Sequence, residues 1–160
     1  MIDPGQAFGT GAHDSTRLCL ELMLELEPVG PFADLGCGSG VLAIAAARLG
    51  FEPVVALDDQ TESVEAARGN AERNGAELEV RRWDLRKEEP PAAGTVAANL
   101  LRPLLLRLAG LVGPATKRLV AGGLLAAEAD EVAAAFTGRG LRERERRRAG
   151  DWAALLLERD

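Results

Sequence analysis

The 160-residue sequence predicts an α/β fold: an open, mostly parallel sheet with helices on both faces and an antiparallel hairpin at the C-terminal edge. Three observations predict it. Short apolar, strand-like runs alternate with helix-forming stretches between residues 31 and 136, the order that builds parallel sheets through right-handed crossovers. The first such run ends in a glycine-rich turn, Gly36-Cys37-Gly38-Ser39-Gly40, and passes directly into Val41–Leu49, good helix formers with no breaker inside. The chain then closes on two strand-like runs, Leu141–Arg148 and Trp152–Leu157, separated by Ala149-Gly150-Asp151, which reads as a hairpin.

Taken in order, residues 1–13 read as a loop with three glycines and a proline. A helix follows, with Asp14-Ser15-Thr16 as cap residues and Leu18, Leu22 and Leu26 recurring at four-residue spacing beside Cys19 and Met23. Strand one is Phe32–Leu35. Strand two, Pro53–Leu57, ends at Asp58-Asp59. A helix from Thr61 to about Arg73 is closed by Asn74-Gly75, a C-terminal signal. Leu78–Arg82 is a short strand ending at Trp83-Asp84, and residues 86–94 form a proline-broken loop. Thr95–Ala98 is a fourth strand ending at Asn99. Leu100–Val112 reads as a helix with Pro103 in its first turn. Lys117–Ala121 is strand five, Gly122-Gly123 a turn, and Ala126–Phe136 a helix. No repeat or linker interrupts this order, so residues 1–160 are expected to form one domain.

Composition narrows the function classes. A formal charge of −6 argues against broad nonspecific nucleic-acid binding and leaves local basic patches open. The run Arg139, Arg142, Arg144, Arg146, Arg147 and Arg148 alternates with Glu143 and Glu145. It reads first as a solvated, aggregation-resistant edge and second as a patch for RNA or an acidic partner. Cys19 and Cys37 give neither a disulfide framework nor metal spacing, and His13 is the single histidine, so no metal site is expected. Neither a membrane-spanning apolar stretch nor a secretory signal is present, which implies a cytoplasmic protein without membrane partners.

The chemistry-bearing residues fall where strands end, which is where open α/β sheets bind ligands. Asp34 precedes the glycine turn. Asp58 lies 22 residues after Gly36, where an acidic side chain accepts hydrogen bonds from ribose hydroxyls; the alternative is a turn or capping aspartate. Trp83-Asp84 suits an adenine, with a flat apolar face and an acceptor for the exocyclic amine; the alternative is a core tryptophan beside a turn aspartate. The backbone amides of Gly36 to Gly40 suit a carboxylate at a helix N-terminus. The dinucleotide fingerprint is G-x-G-x-x-G, whereas here the third glycine comes one residue early. That spacing, with Asp34 before it, resembles motif I of the class I S-adenosylmethionine-dependent methyltransferases.

A narrower resemblance rests on several stretches. Asp3-Pro4-Gly5-Gln6-Ala7-Phe8-Gly9-Thr10-Gly11-Ala12-His13, Asp34–Ala46, Asn70-Ala71-Glu72-Arg73-Asn74-Gly75 and Ala98-Asn99-Leu100-Leu101 resemble the ribosomal protein L11 methyltransferase family. Gly122-Gly123-Leu124-Leu125 and Gly150-Asp151-Trp152 are looser echoes. The resemblance implies a Rossmann-like, seven-stranded class I methyltransferase fold. It implies S-adenosyl-L-methionine as cofactor, S-adenosyl-L-homocysteine as product, and a protein amino group, such as one on a ribosomal protein, as acceptor. By the same resemblance Phe8, Gly9, Thr10 and Gly11 close over the cofactor, with Thr10 near its methionine carboxylate. Asp34, Gly36, Cys37, Gly38 and Gly40 wall its methionine side, and Asp58, Trp83, Asp84 and Asn99 complete the pocket. Asn99 and Leu100 would orient the acceptor nitrogen; His13 is either a general base or an anchor for the loop.

The family's enzymes carry a separate N-terminal recognition domain, and this sequence is expected to be the catalytic domain alone. The family's usual D-x-D-P is here Asp58-Asp59-Gln60, which keeps the ribose acid and alters the turn after it. Two alternatives stay open: methylation of a small molecule or RNA, and a cofactor-binding module without its own substrate domain. Asn99-Leu100-Leu101-Arg102 lacks the N-P-P-[YF] pattern of base or glutamine amide methylation.

Overall fold

A central parallel strand with apolar side chains on both faces needs helices above and below it, and that requirement sets the architecture. A computed structural model of the chain describes residues 12–160. Helix α1 is Ala12–Met23; β1 (Phe32–Leu35) leads to α2 (Val41–Leu49), β2 (Val54–Asp58) to α3 (Thr61–Arg73) and β3 (Glu79–Arg82). Then come β4 (Thr95–Asn99), α4 (Arg102–Leu111), β5 (Arg118–Leu125), α5 (Ala129–Thr137), β6 (Leu141–Ala149) and β7 (Trp152–Arg159). The sheet has seven strands in the order β3-β2-β1-β4-β5-β7-β6. Strands β1 to β5 pair in parallel, and β7 inserts antiparallel between β5 and β6. The fold expected from the sequence is the one observed.

Alternation along the strands divides the core in two. Ala33 and Leu35, Val96 and Ala98, Leu119 and Ala121 face Leu105 and Leu108 of α4 and Val132 and Phe136 of α5. The intervening Phe32, Ala97 and Val120 face α1, α2 and α3, where Leu18, Leu22, Met23, Leu42 and Val64 are buried. A period of two in each strand and two helix layers are the same fact seen from two sides.

Three differences from the sequence reading bear on the site. Helix α1 begins at Ala12, so Asp14, Ser15 and Thr16 lie inside its first turns and are not caps. Leu100 and Leu101 remain extended because the Leu100 N–H donates to the Gly122 carbonyl at 3.0 Å, which delays α4 to Arg102 with Pro103 in its first turn. The Gly122-Gly123 pair is not a turn. It lies within β5, where the register against β7 shifts between Ala121 and Leu124, and the strand carries a bulge there.

Four of the five arginines on strand β6 pair with carboxylates. Arg146 pairs with Glu143 and Asp130, Arg147 with Glu145, Glu21 and Glu25, Arg142 with Asp160 and Arg144 with Glu158. Glu21 comes from the last turn of α1 and Glu25 from the turn just after it, so Arg147 fastens the C-terminal end of that helix to the outermost strand. Charged side chains on an edge also oppose strand addition from another molecule.

Phe136 is fully buried between α5 and the sheet. Phe136→Ala is expected to cost roughly 3–5 kcal/mol of stability through lost transfer energy and a residual cavity. Leu24→Ala, at a position 68% exposed, should stay within about 0.5 kcal/mol. Urea denaturation followed by circular dichroism checks both.

Candidate functional site

The C-terminal ends of β1, β2 and β4 lie side by side, because β1 pairs with both β2 and β4 in register. At the end of β1 the turn is locked onto β2. The amides of Gly36 and Cys37 both donate to the Leu57 carbonyl, at 2.7 and 2.8 Å. The Gly38 amide donates to Asp58 Oδ2 at 3.0 Å, and the Gln60 amide to Asp58 Oδ1 at 2.9 Å. Gly36 has φ +74°, and a Cβ there would run into the Leu100 side chain. Only glycine accepts both the angle and the contact.

These bonds revise one expectation. The amides of Gly36, Cys37, Gly38 and Gly40 are all spent on acceptors within the fold, the last on the Cys37 carbonyl. Four of the five amides from Gly36 to Gly40 are thus engaged within the fold, and the turn presents mainly bare glycine backbone.

Asp34 and Asp58 are both buried, and each is treated differently by its surroundings. Asp34 Oδ2 accepts from the Ala43 amide at 3.1 Å, capping α2 from a distance of nine residues along the chain. Its Oδ1, like Ser39 Oγ, is buried with no partner among the described residues. Burial pushes the Asp34 carboxyl from 3.8 up to about 7, partly offset by the Ala43 bond, with Asp58 adding to the rise. Asp58 also lies above the usual carboxylate range because of burial, and the Gln60 and Gly38 amides pull it back. Each Asp58 oxygen holds one N–H and keeps capacity for a second donor.

Beyond Asp58 a pocket of about 110 Å³ is lined by Gly36, Asp58, Trp83, Asp84, Leu100 and Leu104 among others. It adjoins a wider groove of about 480 Å³ along Asp59, Gln60, Arg82 and Arg86. Trp83 is 8% exposed, packs in the core and donates its indole N–H to the Glu89 carbonyl at 3.1 Å. Asp84 Oδ1 accepts from the Arg86 amide and Nε, and the Arg86 contacts hold its carboxyl below the ordinary range. It is thus an anionic acceptor at the pocket rim. Arg86 also reaches Asp59 Oδ2 at 2.6 Å. Cys37 is buried with its thiol pushed far up by desolvation, which leaves it a packing residue.

At the end of β4, Asn99 Oδ1 accepts from the Ser15 hydroxyl at 2.6 Å and Nδ2 donates to Thr16 Oγ1 at 3.3 Å. The Leu100 carbonyl lies against Gly123, whose φ is +80°; a Cβ there would stand 2.5 Å from that oxygen. Ser15, Thr16 and the glycine pair are site residues that the sequence reading took as helix caps and a turn. A doubled glycine inside a β run is itself a signal of a bulge or close backbone approach. Phe8, Gly9, Thr10, Gly11 and the His13 side chain lie outside the described residues.

The family model described as ribosomal protein L11 methyltransferase (PrmA) matches residues 1–160. The chain belongs to the ribosomal protein L11 methyltransferase family. Among its relatives, the ribosomal protein L11 methyltransferase of Chloroflexus aurantiacus is 39% identical over 99% of this chain and 58% of its own length. That of Symbiobacterium thermophilum is 39% identical over 97% of this chain and 52% of its own length. The chain thus spans between about half and three fifths of these members' length. A crystal structure of the ribosomal protein L11 methylase from Lactobacillus delbrueckii subsp. bulgaricus superposes with a TM-score of 0.85 at 30% identity, covering 99% of this chain and 83% of that one. Among the described residues no helix is long and apolar enough to cross a membrane, and no group of side chains could hold a metal ion.

Asp34 makes stability depend on pH. Its folded-state affinity for a proton exceeds that of the unfolded chain, so its contribution is complete below pH ~4 and lost as pH rises to about 7. Asp34→Asn keeps the acceptor for the Ala43 amide and removes the titration. The stability difference between wild type and variant should fall between pH ~4 and 7 and then level off. Chemical denaturation across that range tests this; a flat difference refutes it.

Proposed function

We propose that this chain is the catalytic domain of a protein N-methyltransferase that takes its methyl group from S-adenosylmethionine and delivers it to amino groups of ribosomal protein L11. The observation that carries the reading is the convergence of Asp58, the bare Gly36 floor and the Asn99 amide at adjacent strand ends, within a chain matched along its whole length by one family. A cytoplasmic setting follows from a ribosomal acceptor.

The residues fit the cofactor. Asp58 retains acceptor capacity on both oxygens, as a ribose diol requires. Gly36 and Gly38 leave the turn without side chains where the methionine part would lie against the backbone, and Asp34 and Cys37 support that wall from within the core. Trp83 and Asp84 border the pocket on the side of the base, with Asp84 held anionic by Arg86. Phe8, Gly9, Thr10 and Gly11 would cover the methionine side. When bound, the cofactor supplies an electrophilic methyl group on a sulfonium sulfur.

What remains for the protein is alignment. A neutral amine attacks through its lone pair, so its N–H groups need acceptors while the lone pair stays clear. The Asn99 amide oxygen, with the Leu100 carbonyl next along the chain, meets that need without protonating the amine. The closing loop would exclude water, and the amine's proton leaves to solvent, so no strong base is required.

Asp58→Ala should weaken S-adenosylmethionine binding by roughly 10- to 100-fold, the loss of two hydrogen bonds to a charged acceptor. Asn99→Ala should lower kcat by about tenfold or more while the dissociation constant stays within about threefold. Titration calorimetry measures the first, and transfer of labelled methyl groups to purified L11 the second. Equal affinity for wild type and Asp58→Ala sinks the ribose assignment; label in RNA alone when L11 and RNA are offered together sinks the acceptor.

A further inference from the structure

We infer that Ser15 is a positioning residue that fixes which way round the Asn99 amide sits. This rests on the functional reading above for its consequence in catalysis, but not for the geometry itself.

Ser15 is 2% exposed, in the first turns of α1. Its hydroxyl oxygen accepts from the Gly123 amide at 2.6 Å, and its hydroxyl proton goes to Asn99 Oδ1 at 2.6 Å. A directed chain results: Gly123 N–H to Ser15, Ser15 O–H to Asn99. The three residues are 84 and 108 positions apart in pairs, so nothing local forces the arrangement.

The direction matters because an asparagine amide is nearly symmetric in shape and opposite in chemistry at its two ends. If the Asn99 amide turned over, an NH2 group would face the Ser15 hydroxyl. The hydroxyl proton would then lose Asn99 Oδ1 as its acceptor in a buried position, and a buried hydroxyl left unmatched costs as much as any unsatisfied polar group. The other amide end is matched too, since Nδ2 donates to Thr16 Oγ1. An amine acceptor substrate needs an oxygen at Asn99; an NH2 group there would instead donate to the lone pair that must attack. Ser15 thus selects the productive end.

The backbone beneath is cleared for the same contact. A Cβ on Gly122 would stand 2.9 Å from Asn99 Oδ1 and 3.3 Å from Ser15 Oγ, and would collide with Cys19 Sγ. The Gly123 amide is available only because the β5 bulge breaks the ladder with β7 at that point. The pairing therefore uses α1, β4 and β5 together.

The test uses the 15N-labelled chain. Asn99 is one of three asparagines, with Asn70 and Asn74, and its side-chain NH2 signals are assigned by their loss in Asn99→Asp. In Ser15→Ala those signals should shift and exchange with water about tenfold faster or more, while those of Asn70 and Asn74 stay in place. Unmoved Asn99 signals in a folded Ser15→Ala overturn the inference. Wild type supplies a second readout should Ser15→Ala fail to fold. The Gly123 amide proton should resist exchange, and a Gly123 amide exchanging at unfolded-chain rates overturns the geometry.

In methyl transfer to L11, Ser15→Ala should lower kcat by about tenfold with KM and cofactor affinity within about twofold. It should have no further effect in an Asn99→Ala background, because the two act as one unit. An equal loss of kcat in both backgrounds overturns the role. Should wild type transfer no methyl group to L11, the functional reading falls, and the amide signals still decide the role of Ser15.

Discussion

The Asp58 carboxylate holds the site together. It ends β2, and its two oxygens take the amides of Gly38 and Gln60. One bond fixes the glycine turn that follows β1; the other starts the path into α3. Together with the two amides donated to Leu57, it converts two adjacent strand ends into one rigid ledge. A turn with so many positive φ angles has little intrinsic preference for a single shape, so its shape comes from these bonds. The same carboxylate keeps acceptor capacity on both oxygens, so in the proposed function the group that orders the backbone is also the one offered to the ribose.

Burying two carboxylates near each other requires that they be told apart. Asp58 receives two backbone N–H groups, which favour its charged form against desolvation. Asp34 receives one and is completely enclosed, so its neutral form persists to about pH 7. A second full charge beneath the turn would add repulsion to desolvation, and the fold avoids it by leaving Asp34 one partner short. Asp84, at the rim, goes the other way, because Arg86 beside it stabilises the anion. Three aspartates at three strand ends thus occupy three electrostatic conditions set by burial and by the number of donors each meets.

Most of the fold was legible because it rests on periodicity and punctuation. The alternating β and α segments, the Asn74-Gly75 stop and the C-terminal hairpin all appear where the sequence places them. The placement of Asp34, the glycine turn, Asp58, Trp83-Asp84 and Asn99 at strand ends was legible as well, since strand ends are recognisable from where apolar runs stop. What could not be read were contacts between distant segments. Ser15 and Thr16 have the composition of a helix cap, and only the packing of α1 beside β4 turns them toward Asn99. The glycine pair at 122 and 123 has the composition of a turn, and only the pairing of β5 with β7 makes it a bulge. Three of the turn amides looked free because their acceptors, Leu57 and Asp58, lie on another strand. In each case local chemistry allowed two outcomes and the tertiary partner chose.

That choice gives the C-terminal hairpin a part in the site. β7 is antiparallel to β5, and their register shifts at the bulge at Gly122-Gly123. The bulge releases the Gly123 amide from the ladder and points it at Ser15. At the far end of the same helix, Glu21 and, in the turn just beyond it, Glu25 are bound by Arg147 of β6. Helix α1 is therefore held at its N-terminal end by the centre of the sheet and at its C-terminal end by the outer strand. The hairpin closes the edge of the sheet, and through the bulge and α1 it also determines where the Asn99 amide stands.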